Sequence, residues 1–207
     1  MLIGFPSQEA PPDWDRFEVV ELTRALEQPL ELAVAPDGRV FFIELGGRLG
    51  VWRPRTHDVV EAAQLEVFAD QENGLLGLAL DPDFAANHWL YLLHSPKEFS
   101  GQHLSRFTVV GERLELASQK VLLAFEEQRA ECCHHAGSLA FGPDGCLFVA
   151  TGDNTHPHGD SEGYAPLDER DGRLPWDGRR GAANTQSLTG KILRVRPTAA
   201  GGLELPS

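Results

Sequence analysis

Three stretches of the chain concentrate side chains suited to chemistry. In the first, Glu131-Cys132-Cys133-His134-His135 runs into Ala136-Gly137-Ser138-Leu139. A histidine just ahead of a buried strand suits general-base work, because its ordinary pKa lies near neutral pH. An isolated histidine more often caps or hydrogen-bonds a turn, so His134 gains weight only from its neighbours. The second stretch, Asp70-Gln71-Glu72-Asn73-Gly74-Leu75-Leu76-Gly77-Leu78, crowds polar groups ahead of another apolar run. Its glycines allow close backbone approach. The third, Thr151-Gly152-Asp153-Asn154-Thr155, directly follows a strand-like run. Asp153 and Asn154 there suit a hydroxyl-rich ligand or a cation, or a plain turn bonded to its own backbone.

Metal chemistry is less sharply signalled. Neighbours in an extended chain point to opposite sides, so Cys132, Cys133, His134 and His135 do not all converge on one tetrahedral zinc. His156-Pro157-His158 has alternate spacing and is followed by Asp160, which keeps a metal reading open. A long polar loop from His156 to Gln186 carries Asp160, Glu162, Asp168, Glu169, Asp171 and Asp177, with Tyr164, Trp176 and several arginines. Oxygen ligands of this kind favour Ca²⁺. No EF-hand spacing is present, and a salt-bridged lid is the plainer reading. Cys132, Cys133 and Cys146 are too few for a disulfide framework. A vicinal disulfide, a bond to a further partner and two free buried thiols all remain open for the adjacent pair.

Bulk properties narrow the classes. The formal net charge of −13 repels phosphate backbones and anionic membranes, so nucleic-acid binding is disfavoured. No run of about 18 apolar residues reads as a membrane span. The first fifteen residues lack a basic n-region and turn polar quickly, so they do not read as a signal peptide. There is no P-loop, nucleophile elbow, His-Glu-x-x-His motif or dinucleotide fingerprint.

The elements that must hold the three stretches are repeated. Leu32-Ala33-Val34-Ala35-Pro36-Asp37-Gly38 recurs as Leu78-Ala79-Leu80-Asp81-Pro82-Asp83-Phe84 and as Leu139-Ala140-Phe141-Gly142-Pro143-Asp144-Gly145. Each copy runs into a β-rich stretch: Arg39 to Glu44, His88 to Leu93 and Cys146 to Thr151. Strand, Pro-Asp-Gly turn and strand is hairpin chemistry, with Pro presetting φ and Gly supplying φ > 0. Gly47 to Trp52, Leu104 to Val109 and Gly190 to Val195 read as third strands. Glu66-Val67-Phe68 and Gln119 to Leu123 read as outer strands, and Phe17 to Leu22 as a strand-like patch in a polar lead-in. Strand-bearing repeats of about 40–50 residues fit four-stranded propeller blades. The longer interval from Pro82 to Pro143 suggests an inserted loop. The fold class is therefore all-β, a propeller fragment of about three blades, with residues 1–28 as an extension and closing strand and 29–207 as the blades. In that arrangement the Glu72 and His134 loops precede equivalent strands and open onto one face. A β-sandwich of repeated hairpins is the competing architecture.

As a set, these motifs resemble the glucose/sorbosone dehydrogenase family, which includes soluble quinoprotein sugar dehydrogenases. The resemblance rests on Glu72-Asn73-Gly74-Leu75-Leu76-Gly77 with Asp81-Pro82-Asp83-Phe84, and on His134 ahead of Gly137-Ser138-Leu139. Gly142-Pro143-Asp144-Gly145 leading to Gly152-Asp153, and Asn184-Thr185-Gln186 leading to Gly190-Lys191-Ile192-Leu193-Arg194, complete it. It implies a six-bladed propeller with pyrroloquinoline quinone (PQQ) and Ca²⁺ at the channel mouth, metal ligands unassigned. It implies His134 as the base that takes the hydroxyl proton as hydride leaves the sugar, Glu72 and Asn73 toward the cofactor, and Asp153 and His135 toward the substrate. It also implies a sugar or related alcohol as substrate, an electron acceptor such as a cytochrome or dye, and a periplasmic or extracellular parent protein. Two positions depart from the pattern. Glu72 stands where the known sugar oxidisers have glutamine, and Cys133 stands where they have an acidic residue before the histidine. The family's later blades supply most cofactor contacts, so the 207-residue chain is expected to be an incomplete part of the enzyme and inactive alone. A non-catalytic binding module and a Ca²⁺-dependent lactonase-like propeller are the alternatives, and fold alone does not choose among them.

Overall fold

The structure is a computed structural model that describes residues 16–158 and 161–206. It contains three four-stranded antiparallel sheets. The first is β1 (Pro29–Val34), β2 (Val40–Glu44), β3 (Arg48–Arg53) and β4 (Asp58–Gln64), paired in chain order. The second is β5 (Leu75–Leu80), β6 (Trp89–His94), β7 (Gly101–Val110) and β8 (Arg113–Glu126). The third is β9 (Leu139–Phe141), β10 (Leu147–Ala150), β11 (Ile192–Pro197) and β12 (Leu203–Glu204). The only α-helix among the described residues is the single turn α1 (Phe84–Asn87). These are three consecutive propeller blades.

The Pro-Asp-Gly turns behave as their residues dictate. Gly38 and Gly145 adopt φ of +85° and +76°. Where Phe84 replaces glycine, the chain instead makes α1, and Asp81 gathers the turn. Its Oδ1 accepts from the Asp83 N–H and the Asn87 amide, and its Oδ2 accepts from the Tyr91 hydroxyl.

Packing explains why β6 reads apolar throughout. Leu90 and Leu92 join Phe41, Ile43, Leu49 and Val51 of the first blade. Tyr91 and Leu93 point the other way, onto Leu139, Leu147, Val149 and Val195 of the third. A middle blade is buried on both faces, so alternation vanishes there. Each fully buried leucine contributes about 1.5–3 kcal/mol. At the two open sides the pattern reverses. Leu30, Leu32 and Val34 of β1 are 49–63% exposed, and Ile192 of β11 is 77% exposed.

The innermost strands approach one another so closely that side chains are excluded. A Cβ on Gly77 would lie 1.7 Å from the Gly137 carbonyl oxygen, and one on Gly137 would lie 2.3 Å from Leu76 Cβ. One carboxylate spans all three inner strands. Glu31 of β1 accepts from the Leu78 N–H of β5 at 2.8 Å and from the Ser138 hydroxyl ahead of β9 at 2.7 Å.

Three expectations shift. The outer strand of the first blade is Asp58–Gln64, whereas Val67 makes only an isolated bridge to Pro96. The Phe17 to Leu22 patch lies in no strand among the described residues, and Val19 is 96% exposed. Much of the long second interval is strand, because β7 and β8 run to 10 and 14 residues, and the larger excursion instead separates β10 from β11. Asp160 lies outside the described residues.

Candidate functional site

The loops before β5 and β9 and the loop after β10 meet at one end of the blades. They deliver Glu72, His134 and Asp153, respectively. Backbone accommodation is local and specific. Glu72, His134 and Asn154 all hold positive φ, +71°, +57° and +55°. Non-glycine residues in this region cost on the order of 1–3 kcal/mol each and persist where the surroundings hold them. Here the holding contact is Gly152. A Cβ on it would lie 1.7 Å from the His134 carbonyl oxygen, so the His134 loop rests directly on the Gly152 backbone. The Asn154 N–H also donates to that carbonyl at 3.2 Å.

His134 Nδ1 lies 3.0 Å from Asp153 Oδ1. An ionised carboxylate only accepts, so Nδ1 carries the proton and Nε2 offers a lone pair. No described residue hydrogen-bonds Nε2, and the side chain is 47% exposed. The His134 N–H donates to Glu72 Oε2 at 2.7 Å, which fixes the Glu72 side chain to the loop that carries the base. A cavity of about 460 Å³ opens beside them, lined by Leu30, Glu31, Leu45, Glu72, Leu76 and Ser138 among others. A larger cavity, about 650 Å³, lies at the opposite end around Arg39, Arg53, His88 and Glu112, and holds none of the candidate residues.

His135 and Asn73 lie beneath the surface. The His135 and Glu127 side chains are fully buried, with Nδ1 2.8 Å from Glu127 Oε2. The same tautomer argument leaves His135 Nε2 to accept from the Asn73 amide at 3.2 Å. Gln102 donates to both Glu127 oxygens at 3.0 and 3.1 Å. Asn73, Gln102 and Glu127 are thereby joined through His135 in a polar cluster under the site. Asn154, also buried, clamps the next segment. Its Oδ1 accepts from the Gln128 N–H and its amide donates to the Gln128 carbonyl. Glu127, Gln102 and Gln128 carried no sequence signal of their own, because their partners lie in other strands and loops.

The long loop is a salt-bridged layer. Buried Asp168 accepts from Ser161, Arg170 and Arg173. Its carboxyl is held far below the usual range by the Arg170 guanidinium first, against the opposing effect of burial. Glu162 pairs with Arg170, and Glu169 and Asp177 with Arg179. These carboxylates are committed to arginines. Arg180 reaches the Asn154 carbonyl, and burial pushes its guanidinium below the usual range while Asp153 opposes the shift. Cys132 and Cys133 form a disulfide, and Cys146 is a buried free thiol.

A profile of the glucose/sorbosone dehydrogenase family matches residues 26–202. Quinoprotein glucose dehydrogenase B of Acinetobacter calcoaceticus is 25% identical over 202 residues, covering 92% of this chain and 41% of that protein. A Thermus thermophilus oxidoreductase, a glucose dehydrogenase, superposes with a TM-score of 0.67 at 32% identity, covering 86% of this chain and 46% of that one. The PQQ-bound aldose sugar dehydrogenase of Streptomyces coelicolor superposes with a TM-score of 0.64 at 25% identity, covering 85% and 46%. The chain thus spans less than half the length of these relatives.

Proposed function

The chain belongs to the glucose/sorbosone dehydrogenase family, and from that premise we propose that it forms the base-bearing part of a PQQ-dependent oxidoreductase acting on a sugar or related alcohol. The observation that carries the reading is the His134–Asp153 pair, on a half-exposed histidine whose backbone N–H is bonded to Glu72 at the cavity edge.

The lining of that cavity suits one part of the cofactor. Leu30, Leu45 and Leu76 offer apolar surface to a flat ring system, and Glu72 and Ser138 offer polar edges. Among the described residues no Lys or Arg lines it to hold a tricarboxylate. Glu72 and Glu31 are oxygen donors of the kind Ca²⁺ takes, but no cage of six or more converges among the described residues. The residues fit the reacting side of the group, and the anion-holding side falls to blades beyond these three.

When bound, PQQ supplies a two-electron acceptor for hydride. The remaining work belongs to this chain. Asp153 holds Nδ1–H, so His134 Nε2 is the nitrogen that takes the substrate hydroxyl proton, and the carboxylate stabilises the imidazolium that results. The second oxygen of Glu72 accepts hydrogen bonds at the cavity edge, where a glutamine amide would donate. Asp153 also borders the substrate hydroxyls. Asn73 and His135 act from beneath by fixing the Glu72 and His134 loops. The partners of the whole protein are a small sugar or alcohol and a cytochrome- or dye-like electron acceptor. Its place is the periplasm or the cell exterior, and no helix among the described residues is long and apolar enough to cross a membrane.

The test is dye reduction by the protein carrying the remaining blades, reconstituted with PQQ and Ca²⁺ and offered aldoses, sorbosone and simple alcohols. Turnover that requires both additions is the expected result. No turnover and no bound quinone by absorbance would overturn the reading.

A further inference from the structure

Two motifs separated in sequence meet beside the His134 loop. One potential ligand atom from each of Cys132, Cys133 and His156 lies within 4.8 Å of the others, and all three residues are half-buried. The segment is not an extended strand, so the two sulfurs lie on one side and the following histidines turn away, His134 to Asp153 and His135 to Glu127. Of the pair His156 and His158, only His156 joins the cluster. The His158 carbonyl instead accepts from the Trp176 indole at 2.9 Å.

The His156 ring is placed by contacts unrelated to the sulfurs. Its backbone N–H donates to the Pro175 carbonyl at 2.7 Å, and its ring meets Trp176 edge-on at 6.1 Å. His156 Nδ1 is nevertheless buried and has no hydrogen-bond partner. Buried polar atoms are ordinarily satisfied, and an ion is one of the partners that an exception can take. The ring that carries this orphan nitrogen stands with two sulfurs, which is a soft donor set. It differs in kind from the oxygen donors that Ca²⁺ requires.

We propose that Cys132, Cys133 and His156 form a redox-gated site for monovalent copper. The disulfide is the closed form. A dithiol reductant passes two electrons and two protons to the Cys132–Cys133 bond, which breaks into two thiols while the reductant closes into its own disulfide. Both thiols then release their protons to solvent, two copper–sulfur bonds form, and neutral His156 donates its lone pair as third ligand. Thiolates favour Cu⁺. Zn²⁺ prefers four ligands, and no fourth His, Cys, Asp or Glu joins the group among the described residues. Because Cys133 is bonded directly to His134, loading the site bears on the loop that carries the candidate base. The inference does not depend on the dehydrogenase reading.

The experiment is an anaerobic Cu⁺ titration of the purified chain against a chromogenic chelator, with and without prior dithiol reduction. Zn²⁺ and Ca²⁺ are run in parallel, and the loaded protein is examined by copper X-ray absorption. One equivalent bound only after reduction, with two sulfurs and one nitrogen around copper, is expected. Cys132→Ser with Cys133→Ser should abolish uptake, and His156→Gln should weaken it by at least tenfold. His158→Gln should leave it unchanged, and circular dichroism should report all variants folded. Equal uptake by the oxidised chain or by the folded His156→Gln variant would overturn the proposal, as would binding of Zn²⁺ in preference to Cu⁺.

Discussion

His134 and His135 are adjacent in sequence and have the same kind of partner, yet they occupy opposite environments. Each donates Nδ1–H to a carboxylate, at 3.0 Å to Asp153 and at 2.8 Å to Glu127. The first side chain is 47% exposed, and the second is fully sealed. The first leaves Nε2 without a hydrogen-bond partner among the described residues, whereas the second gives Nε2 to Asn73. A histidine–carboxylate pair is therefore not a catalytic signature in itself. Access of the second nitrogen is what distinguishes the proposed base from its buried neighbour.

Substitution should divide the two. In the reconstituted protein, His134→Ala should lower kcat by about 10²–10⁴-fold, the usual worth of a positioned base, with an unchanged denaturation midpoint. His135→Ala should do the reverse. It leaves the Glu127 carboxylate buried with Gln102 alone, at a cost on the order of 1–3 kcal/mol, read as a fall in the denaturant midpoint. Turnover per folded molecule should change much less. If both variants lost the same property, the distinction would collapse.

His94 sharpens the comparison, being buried with no carboxylate at all. Its Nε2 meets the Ser105 hydroxyl and its Nδ1 has no partner. Burial, with nearby His103 adding to it, pushes its pKa down to about 4. Protons therefore bind the unfolded chain in preference below its ordinary value near 6.5. The neutral ring's contribution is full above about pH 6.5 and is lost as pH falls through that window toward 4, on the order of 3 kcal/mol in total. Thermal melts between pH 7 and pH 4.5 should show this slope, and His94→Gln should flatten it. An unchanged slope would assign the acid sensitivity elsewhere.

The smallest effect concerns the tether between the two histidine environments. Glu72→Gln keeps an oxygen for the His134 N–H but presents an amide donor to the cavity. Turnover should change less than tenfold, with the larger shift in the ratio of kcat/KM between aldoses and simple alcohols. A loss as deep as that of His134→Ala would mean that Glu72 itself handles the proton.

The sequence made the blades legible because their signals are local. The Pro-Asp-Gly turns and the apolar runs of β2, β6 and β10 stand out at repeat spacing. β4 was hidden because its pattern is weak. Asp58 and Glu61 face solvent at the outer edge, and the more apolar Glu66-Val67-Phe68 drew the assignment instead. At the candidate site, Glu72 and His134 were singled out from equivalent loop positions, and Asp153 from its place directly after a strand. The buried pairing of His135 with Glu127 was not, because Glu127 ends a 14-residue outer strand and its partners lie in other loops and strands. Nor was the meeting of His156 with the cysteines, which depends on how the long loop folds back over Trp176.

Glu31 changes how the three blades should come apart. In a row of repeats that touch only their neighbours, stability is a sum of unit and interface terms, and an end unit can fray independently. The bond from Glu31 to Ser138 adds a term between the first and third units that neighbour contacts do not contain, while the same carboxylate also holds the second unit through Leu78. Loss of either end unit then weakens the other, and melting is driven toward a single cooperative transition.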